Sequence, residues 1–168
     1  LLGKSAFGYP TVTSVNDGKD GLFSIERLTF ADARVAFDVA AGQHAGNAAL
    51  LVGAVLGVGA LSSQKSTVGA VIDLFDQGVT LRDLSAAVMR LPAGWWEPLA
   101  GGSSHEKIAS FILSNIIDAT PDAGLLTWAV DFMESQPEGD FLLFAAEHAV
   151  NQAHVNLVGL AQPGLEFI

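Results

Sequence analysis

Residues 24–39, SIERLTFADARVAFDV, decide the fold of the N-terminal part of this chain. Two apolar-rich runs flank Ala31-Asp32-Ala33-Arg34, and this interruption favours a turn. Because β-branched and aromatic residues are common in strands, the segment predicts a strand, a turn and a second strand. The apolar residues of the two runs are Ile25, Leu28, Phe30, Val35, Phe37 and Val39.

Residues 1–23 are rich in Gly, Ser, Thr, Asn and Asp. Thr11-Val12-Thr13 predicts a short strand, and Asn16-Asp17-Gly18 predicts a turn after it. Together, residues 1–39 predict one small antiparallel β layer at the N-terminus.

After Ala40 the apolar residues recur at intervals of three and four, the spacing of amphipathic helices. We therefore expect a mainly α fold, with about six helices following the β layer. The segments that show this spacing are 47–57, 68–78, 81–89, 105–117, 124–134 and 140–150.

The helical part also contains a weak internal repeat. Residues 71–76, VIDLFD, align with residues 129–134, AVDFME, at an offset of 58 residues. The sequence therefore predicts a pseudo-duplicated helical bundle whose repeats span about 45–97 and 103–156, joined by a linker at 91–102. Residues 40–168 form this helical domain, and we expect it to make one compact unit with the β segment at 1–39.

Composition restricts the function. The net charge is −10, and the eight Lys and Arg residues are scattered, so nucleic acid is not an expected partner. The chain has no cysteine, which excludes disulfides and zinc–thiolate sites. The longest apolar stretch, residues 48–61, is shorter than the roughly 20 residues that span a bilayer, so we expect no transmembrane segment. The chain begins at Leu1 and shows no signal peptide, as expected of a fragment or processed product.

Several of these segments resemble a known arrangement in bacterial proteins secreted by the type I route. There, the end of an RTX-type calcium-binding β-roll, typically V-E-R-L-x-F-x-D-G-T-x-A-L-D, runs into a helical, phycobilisome-linker-like domain of unknown function. Residues 25–32 and 36–38 are similar to the β-roll end, with Ala33-Arg34 at the usual Gly-Thr. Residues 111–117, 121–128 and 145–147 are similar to the helical domain.

The resemblance implies a setting for the chain. It implies a non-enzymatic C-terminal accessory or interaction domain of a secreted or cell-surface bacterial protein, supporting export, assembly or adhesion. Its expected partners are another protein or a second copy of the chain, together with a type I exporter.

Trp95 and Trp96 are candidates for a different function, the binding of carbohydrate or another small ligand. Adjacent aromatic residues in a Gly- and Pro-rich linker can stack on sugar faces. The alternative is that one indole fills the junction between the repeats. Trp128, by contrast, has the spacing of a core residue, and Asp122 is expected to cap the helix that follows it.

Asp17, Asp20 and Asp32 are the candidate metal ligands, because carboxylates and loop carbonyls at the end of a β-roll suit calcium. The nonapeptide G-G-x-G-x-D repeat that builds such sites is absent from the chain. Calcium is the one cofactor that these residues suggest, and solvated turn carboxylates are the alternative interpretation.

Two short motifs concern the alternative of a serine-type hydrolase, although the chain is not expected to be an enzyme. Ser62 and Lys65 have Ser-x-x-Lys spacing, but the companion motifs of the acyl enzymes that use it are missing. Ser104 adjoins His105, and sequence neighbours rarely form a catalytic pair, so Ser104 is expected to cap the next helix.

The C-terminal residues Glu166, Phe167 and Ile168 are similar to the tails of many type I secretion substrates. They are therefore candidates for an export signal. An apolar tail docked on the bundle is the other interpretation, and the two are compatible.

Overall fold

The computed structural model of the protein describes residues 2–5, 10–14, 18–161 and 163–168. The described residues before position 44 form short strands and loops, and most of those after it are helical. The predicted mainly α fold is confirmed. The helices are α1 His44–Leu56, α2 Ala60–Ser63, α3 Lys65–Asp76, α4 Leu81–Met89, α5 Ala93–Ala100, α6 His105–Ile117, α7 Ala123–Ser135, α8 Glu138–Glu147, α9 Ala149–Val155 and α10 Leu157–Leu160.

The predicted single β layer is wrong, because the strands form two separate antiparallel sheets. The first sheet has the order β1-β2-β3, and the second has the order β4-β5-β6. Residues 24–39 do form the expected hairpin, in which β4 pairs with β5. The strands are β1 Leu2–Lys4, β2 Pro10–Ser14, β3 Gly18–Gly21, β4 Arg27–Thr29, β5 Arg34–Ala36 and β6 Leu165–Phe167.

The third strand of the second sheet comes from the C-terminal tail. Phe167 lies opposite Arg34, and Leu165 lies opposite Ala36. Leu165 and Phe167 are buried, and the Arg34 guanidinium lies 4.5 Å from the centre of the Phe167 ring. The tail is therefore docked in the fold, as the second interpretation proposed.

Helix α1 lies at the centre of the bundle and contacts α3, α6, α8 and α9. Ten of its thirteen residues are buried, so it is apolar around most of its circumference. The predicted apolar stretch at 48–61 is divided at Gly57, whose φ of 79° ends α1 before α2 begins.

Ion pairs join the second sheet to the first helices. Arg27 pairs with the buried Asp38 and, at 3.2 Å, with Asp76 of α3. His44 Nδ1 of α1 lies 2.7 Å from the same Asp76 carboxylate. Asp38 also accepts a hydrogen bond from the Ala45 amide at 3.2 Å. This network fixes the hairpin against the start of α1 and the end of α3.

The predicted linker at 91–102 is also wrong in part, because it contains helix α5. Pro92 precedes the helix, and Gly101, with a φ of 69°, follows it. The described part of the chain therefore has more helical segments than the six predicted. The predicted caps are present: the side chains of Ser104 and Asp122 accept backbone hydrogen bonds at the starts of α6 and α7. The Thr80 side chain does the same at the start of α4.

Candidate functional site

The sequence-predicted residues do not come together in one site. Trp96 lies in α5 and is only 1% exposed, so it is unable to stack on a sugar in the folded protein. Trp95 is half-buried and meets Trp96 edge-on, with ring centres 4.8 Å apart. Trp95 also borders an apolar cavity of about 90 Å³ between α1, α3 and α4. The burial of Trp96 opposes the carbohydrate site predicted for it, and the cavity beside Trp95 lies within the first predicted repeat, away from the junction between the repeats.

Two of the three candidate calcium ligands lie within the described residues. Asp20 lies in β3 and Asp32 lies in the turn between β4 and β5, and both are exposed. Asp17 lies outside the described residues. Within the described ranges, no group of three or more His, Asp or Glu side chains is placed to hold a metal ion.

The serine motifs have structural partners. The Ser62 hydroxyl donates to the Gly59 carbonyl at 3.1 Å, and Lys65 pairs with Glu166 at 2.7 Å. Ser104 caps α6, and His105 Nε2 lies 2.8 Å from a Glu138 carboxylate oxygen. Neither arrangement is a serine held by a base, which acyl-transfer chemistry requires.

The residues of the proposed export signal differ in exposure. Phe167 is buried in β6, while Glu166 is exposed and paired with Lys65. Ile168 is 59% exposed, and its amide donates to the Lys65 carbonyl at 3.3 Å. In the folded chain these residues are part of the second sheet and its contact with α3.

A site that the sequence did not predict lies between α6, α7, α8 and the start of α9. We call it the aromatic groove. It encloses a cavity of about 180 Å³, and its lining is almost wholly apolar. Six of its lining residues are Leu113, Ile117, Trp128, Phe144, His148 and Val150.

The turns of the chain create this groove. Helix α6 ends at Ile117 and is followed by Asp118, which has a left-handed φ of 52°. Asp122 then caps α7 by accepting from the Leu125 amide at 2.8 Å. The helix predicted at 140–150 instead breaks at His148, whose Nδ1 accepts from the Val150 amide at 3.2 Å. This break turns His148 and Val150 toward the groove.

The prediction that Trp128 is a core residue is wrong, because 40% of its surface is exposed. Its ring lies 5.4 Å from that of Phe144 and 5.6 Å from that of Phe132. Phe144 is 44% exposed and lies 5.3 Å from the His148 ring. Trp128 is therefore part of an aromatic cluster at the surface, on the wall of the groove.

The sequence reasoning missed Phe144, His148 and Val150. On α8 the buried stripe includes Phe141, Leu142, Ala145 and Ala146. Phe144 lies at the edge of this stripe, so it extends the apolar surface beyond the part that the bundle covers. That extra apolar residue was the one sequence feature that pointed to the groove.

Three exposed carboxylates lie close in the chain to residues that line the aromatic groove. Asp118 follows the lining residue Ile117, Asp122 precedes α7, and Glu147 precedes His148; all three are exposed. None of the ion pairs among the described residues involves these three carboxylates. The sequence has no Lys or Arg after Lys107, so the acidic charge here has no basic residue near it in the chain.

Comparison with known proteins gives no family assignment: no protein-family model, curated protein or solved structure matches this chain. Among the helices in the described ranges, none has the length and apolar character needed to span a membrane. Functional conclusions therefore depend on the geometry of the site.

Proposed function

We propose that this chain is a non-enzymatic interaction domain that binds another protein through the aromatic groove. The observation that carries the proposal is the partial exposure of Trp128, Phe144 and Val150 around one cavity, at 40%, 44% and 43%. Apolar patches with exposed aromatic residues are typical of protein-binding surfaces. Burial of such aromatic anchors supplies much of the binding energy at interfaces.

The size of the cavity supports a protein side chain as the occupant. About 180 Å³ is smaller than the roughly 300 to 1,000 Å³ of pockets that enclose whole small molecules. A sugar would also need hydrogen-bond partners, and the groove is lined almost entirely by carbon. One or two apolar side chains of a partner satisfy both restrictions.

The resemblance to type I secreted proteins supplies the setting of the proposal. It covers residues 25–32, 36–38, 111–117, 121–128 and 145–147. In that setting the chain is an accessory domain of a secreted or cell-surface bacterial protein, which supports export, assembly or adhesion. Calcium binding by Asp17, Asp20 and Asp32, and recognition of the tail by an exporter, belong to the same proposal and depend on the resemblance alone.

We also propose that the helical part arose by duplication of a three-helix unit. The contact between α4 and α8 supports this, because these helices occupy equivalent positions at the offset of 58 residues. Arg82 pairs with its equivalent, Asp140, across this contact. Equivalent helices α1 and α6 are also in contact, as expected for two halves related by approximate twofold symmetry.

Site-specific photo-crosslinking in the cells that produce the protein tests the interaction function. A photoreactive phenylalanine analogue replaces Phe144 in one variant and Val158, which is 84% exposed, in the matched control. We expect position 144 to crosslink to a discrete partner. Excess unlabelled chain should compete for this crosslink, and excess Trp128→Ser chain should not.

Equal crosslinking from positions 144 and 158 would overturn the proposal, because it would indicate random collision. Competition by the Trp128→Ser chain as effective as that by the unchanged chain would also overturn it. Circular dichroism of the Trp128→Ser chain confirms that the substitution leaves the helices folded.

A further inference from the structure

The chemistry of the aromatic groove restricts its partner further, and this inference rests on the interaction function proposed above. The groove has an apolar floor, and three exposed carboxylates adjoin its lining residues in the chain or cap the helix that carries them; we call these residues, Asp118, Asp122 and Glu147, the border. The apolar floor and the charged border favour different chemical groups of a ligand. The floor selects an apolar side chain, while the border selects the charge beside it.

None of the ion pairs among the described residues places a cation beside a border carboxylate. Two other carboxylates of the second repeat face a basic residue: Glu138 faces His105 of the same repeat, and Asp140 pairs with Arg82 of the first repeat. The three border carboxylates have no cationic partner among the described ion pairs, although Asp122 also caps α7 by accepting from the Leu125 amide.

We propose that the aromatic groove binds a basic amphipathic segment of a partner protein. One or two apolar side chains of the segment enter the cavity beside Trp128 and Phe144. Lys or Arg residues on either side of these anchors pair with Asp118, Asp122 and Glu147. An amphipathic helix with a basic flank is the simplest peptide that presents both features on one face.

Charge also decides against other occupants. A second copy of this chain carries the same net charge of −10, so two copies repel each other at low salt. An anionic membrane surface is repelled for the same reason. The same negative charge that repels a second copy and an anionic membrane attracts a basic segment.

Three synthetic peptides of about 15 residues, a length that allows a stable helix, test the inference. All three place leucines on one helical face, and the flanking positions hold Lys in the first peptide, Gln in the second and Glu in the third. We expect the Lys peptide to bind about tenfold more tightly than the Gln peptide, and the Glu peptide to bind most weakly. Fluorescence anisotropy of the labelled peptides measures affinity, and amide NMR shifts at Trp128 and Phe144 locate the site.

The variant Asp118→Asn/Asp122→Asn/Glu147→Gln removes the border charges while preserving the backbone. Asparagine accepts the left-handed φ of position 118 and caps helices as aspartate does at position 122. We expect it to bind the Lys peptide about tenfold more weakly and the Gln peptide as before.

The matched control removes the same number of charges from the β-sheet region, at Asp20→Asn, Glu26→Gln and Asp32→Asn. It should bind the Lys peptide within about twofold of the unchanged chain, because charges outside the border are screened by salt.

Equal affinity for the Lys and Glu peptides would overturn the inference, as would an equal loss in the two triple variants. Peptide-induced shifts confined to residues outside the groove would also overturn it, as would self-association that buries Trp128. If the crosslink from position 144 persists in these cases, the basic-segment inference is wrong and the proposed interaction function stands. If that crosslink is also absent, both are wrong.

Discussion

Gly69 of α3 lies directly against the main chain of Ile168, because a Cβ atom at position 69 would come within 2.1 Å of the Ile168 carbonyl oxygen. The same Cβ would lie 3.2 Å from the Phe167 ring. This close approach is the point at which the C-terminal strand docks on the bundle, and a side chain on α3 would prevent it.

Gly69→Ala is therefore expected to destabilise the protein by about 2 kcal/mol, the usual range for overpacking a close contact. Alanine favours helix by up to about 1 kcal/mol, but rotation of a methyl group does not relieve a clash with a carbonyl. Gly94→Ala in α5 is the control, since nothing lies within 4 Å of its added Cβ. Urea unfolding should show a loss at position 69 and no loss at position 94; equal stability of the two would contradict the docked tail.

The two indoles at positions 96 and 128 should differ in their contribution to stability. Trp96→Ala empties a site that is 1% exposed and should cost about 3 to 5 kcal/mol. Trp128→Ala should cost less than about 2 kcal/mol, because Trp128 is 40% exposed. Thermal unfolding followed by circular dichroism measures the stability of both variants. A larger loss of stability from Trp128→Ala than from Trp96→Ala would show that Trp128 belongs to the core.

Arg27 and Asp38 should behave as a coupled pair. Arg27→Met leaves the carboxylate of Asp38 without its cation at a site only 8% exposed, so we expect a loss of about 2 kcal/mol. In a background that already carries Asp38→Asn, Arg27→Met should cost less stability, because no buried charge is then left without a partner. A double-mutant cycle measures the coupling, and additive losses would show that the pair does not interact in solution.

The two sheets should respond differently to truncation. Removal of residues 1–22 deletes the first sheet and should change the melting temperature of the remainder little. Removal of residues 1–39 also deletes β4 and β5 together with the core residues Ala36 and Val39, so the product should aggregate or melt earlier. Similar melting of the two products would show that the second sheet is not part of the core.

Local chemistry made much of this fold predictable. The cap residues Thr80, Ser104 and Asp122 stand immediately before helices α4, α6 and α7, because their side chains satisfy free backbone amides. The hairpin at 24–39 was equally visible, since its turn separates two strand-forming runs. These features depend on neighbours in sequence, which a single sequence contains.

Features that depend on distant residues were missed. Strand β6 has only three residues, in which buried Leu165 and Phe167 flank exposed Glu166. So short an alternation does not predict a strand by itself, and the strand forms because β6 pairs with β5. Gly94 and Pro98 oppose helix formation, so the sequence predicts a linker where the structure has α5, which the burial of Trp96 stabilises.

The aromatic groove was missed for a related reason. The apolar spacing places Trp128 on the inner face of α7, but the spacing does not tell how far the neighbouring helices extend to cover it. The break of the helix at His148 decides this, and it depends on a local side-chain hydrogen bond that competes with the helix.

The pairing of Arg34 with Phe167 has a consequence for the order in which the protein folds. Strand β5 is synthesised long before β6, so one of its edges keeps unpaired backbone groups until nearly the whole segment between them has been made. During that interval, any extended segment that reaches β5 first competes for the hydrogen bonds of β6. The slow closure of this long loop therefore sets the period in which the chain is vulnerable to strand exchange and aggregation.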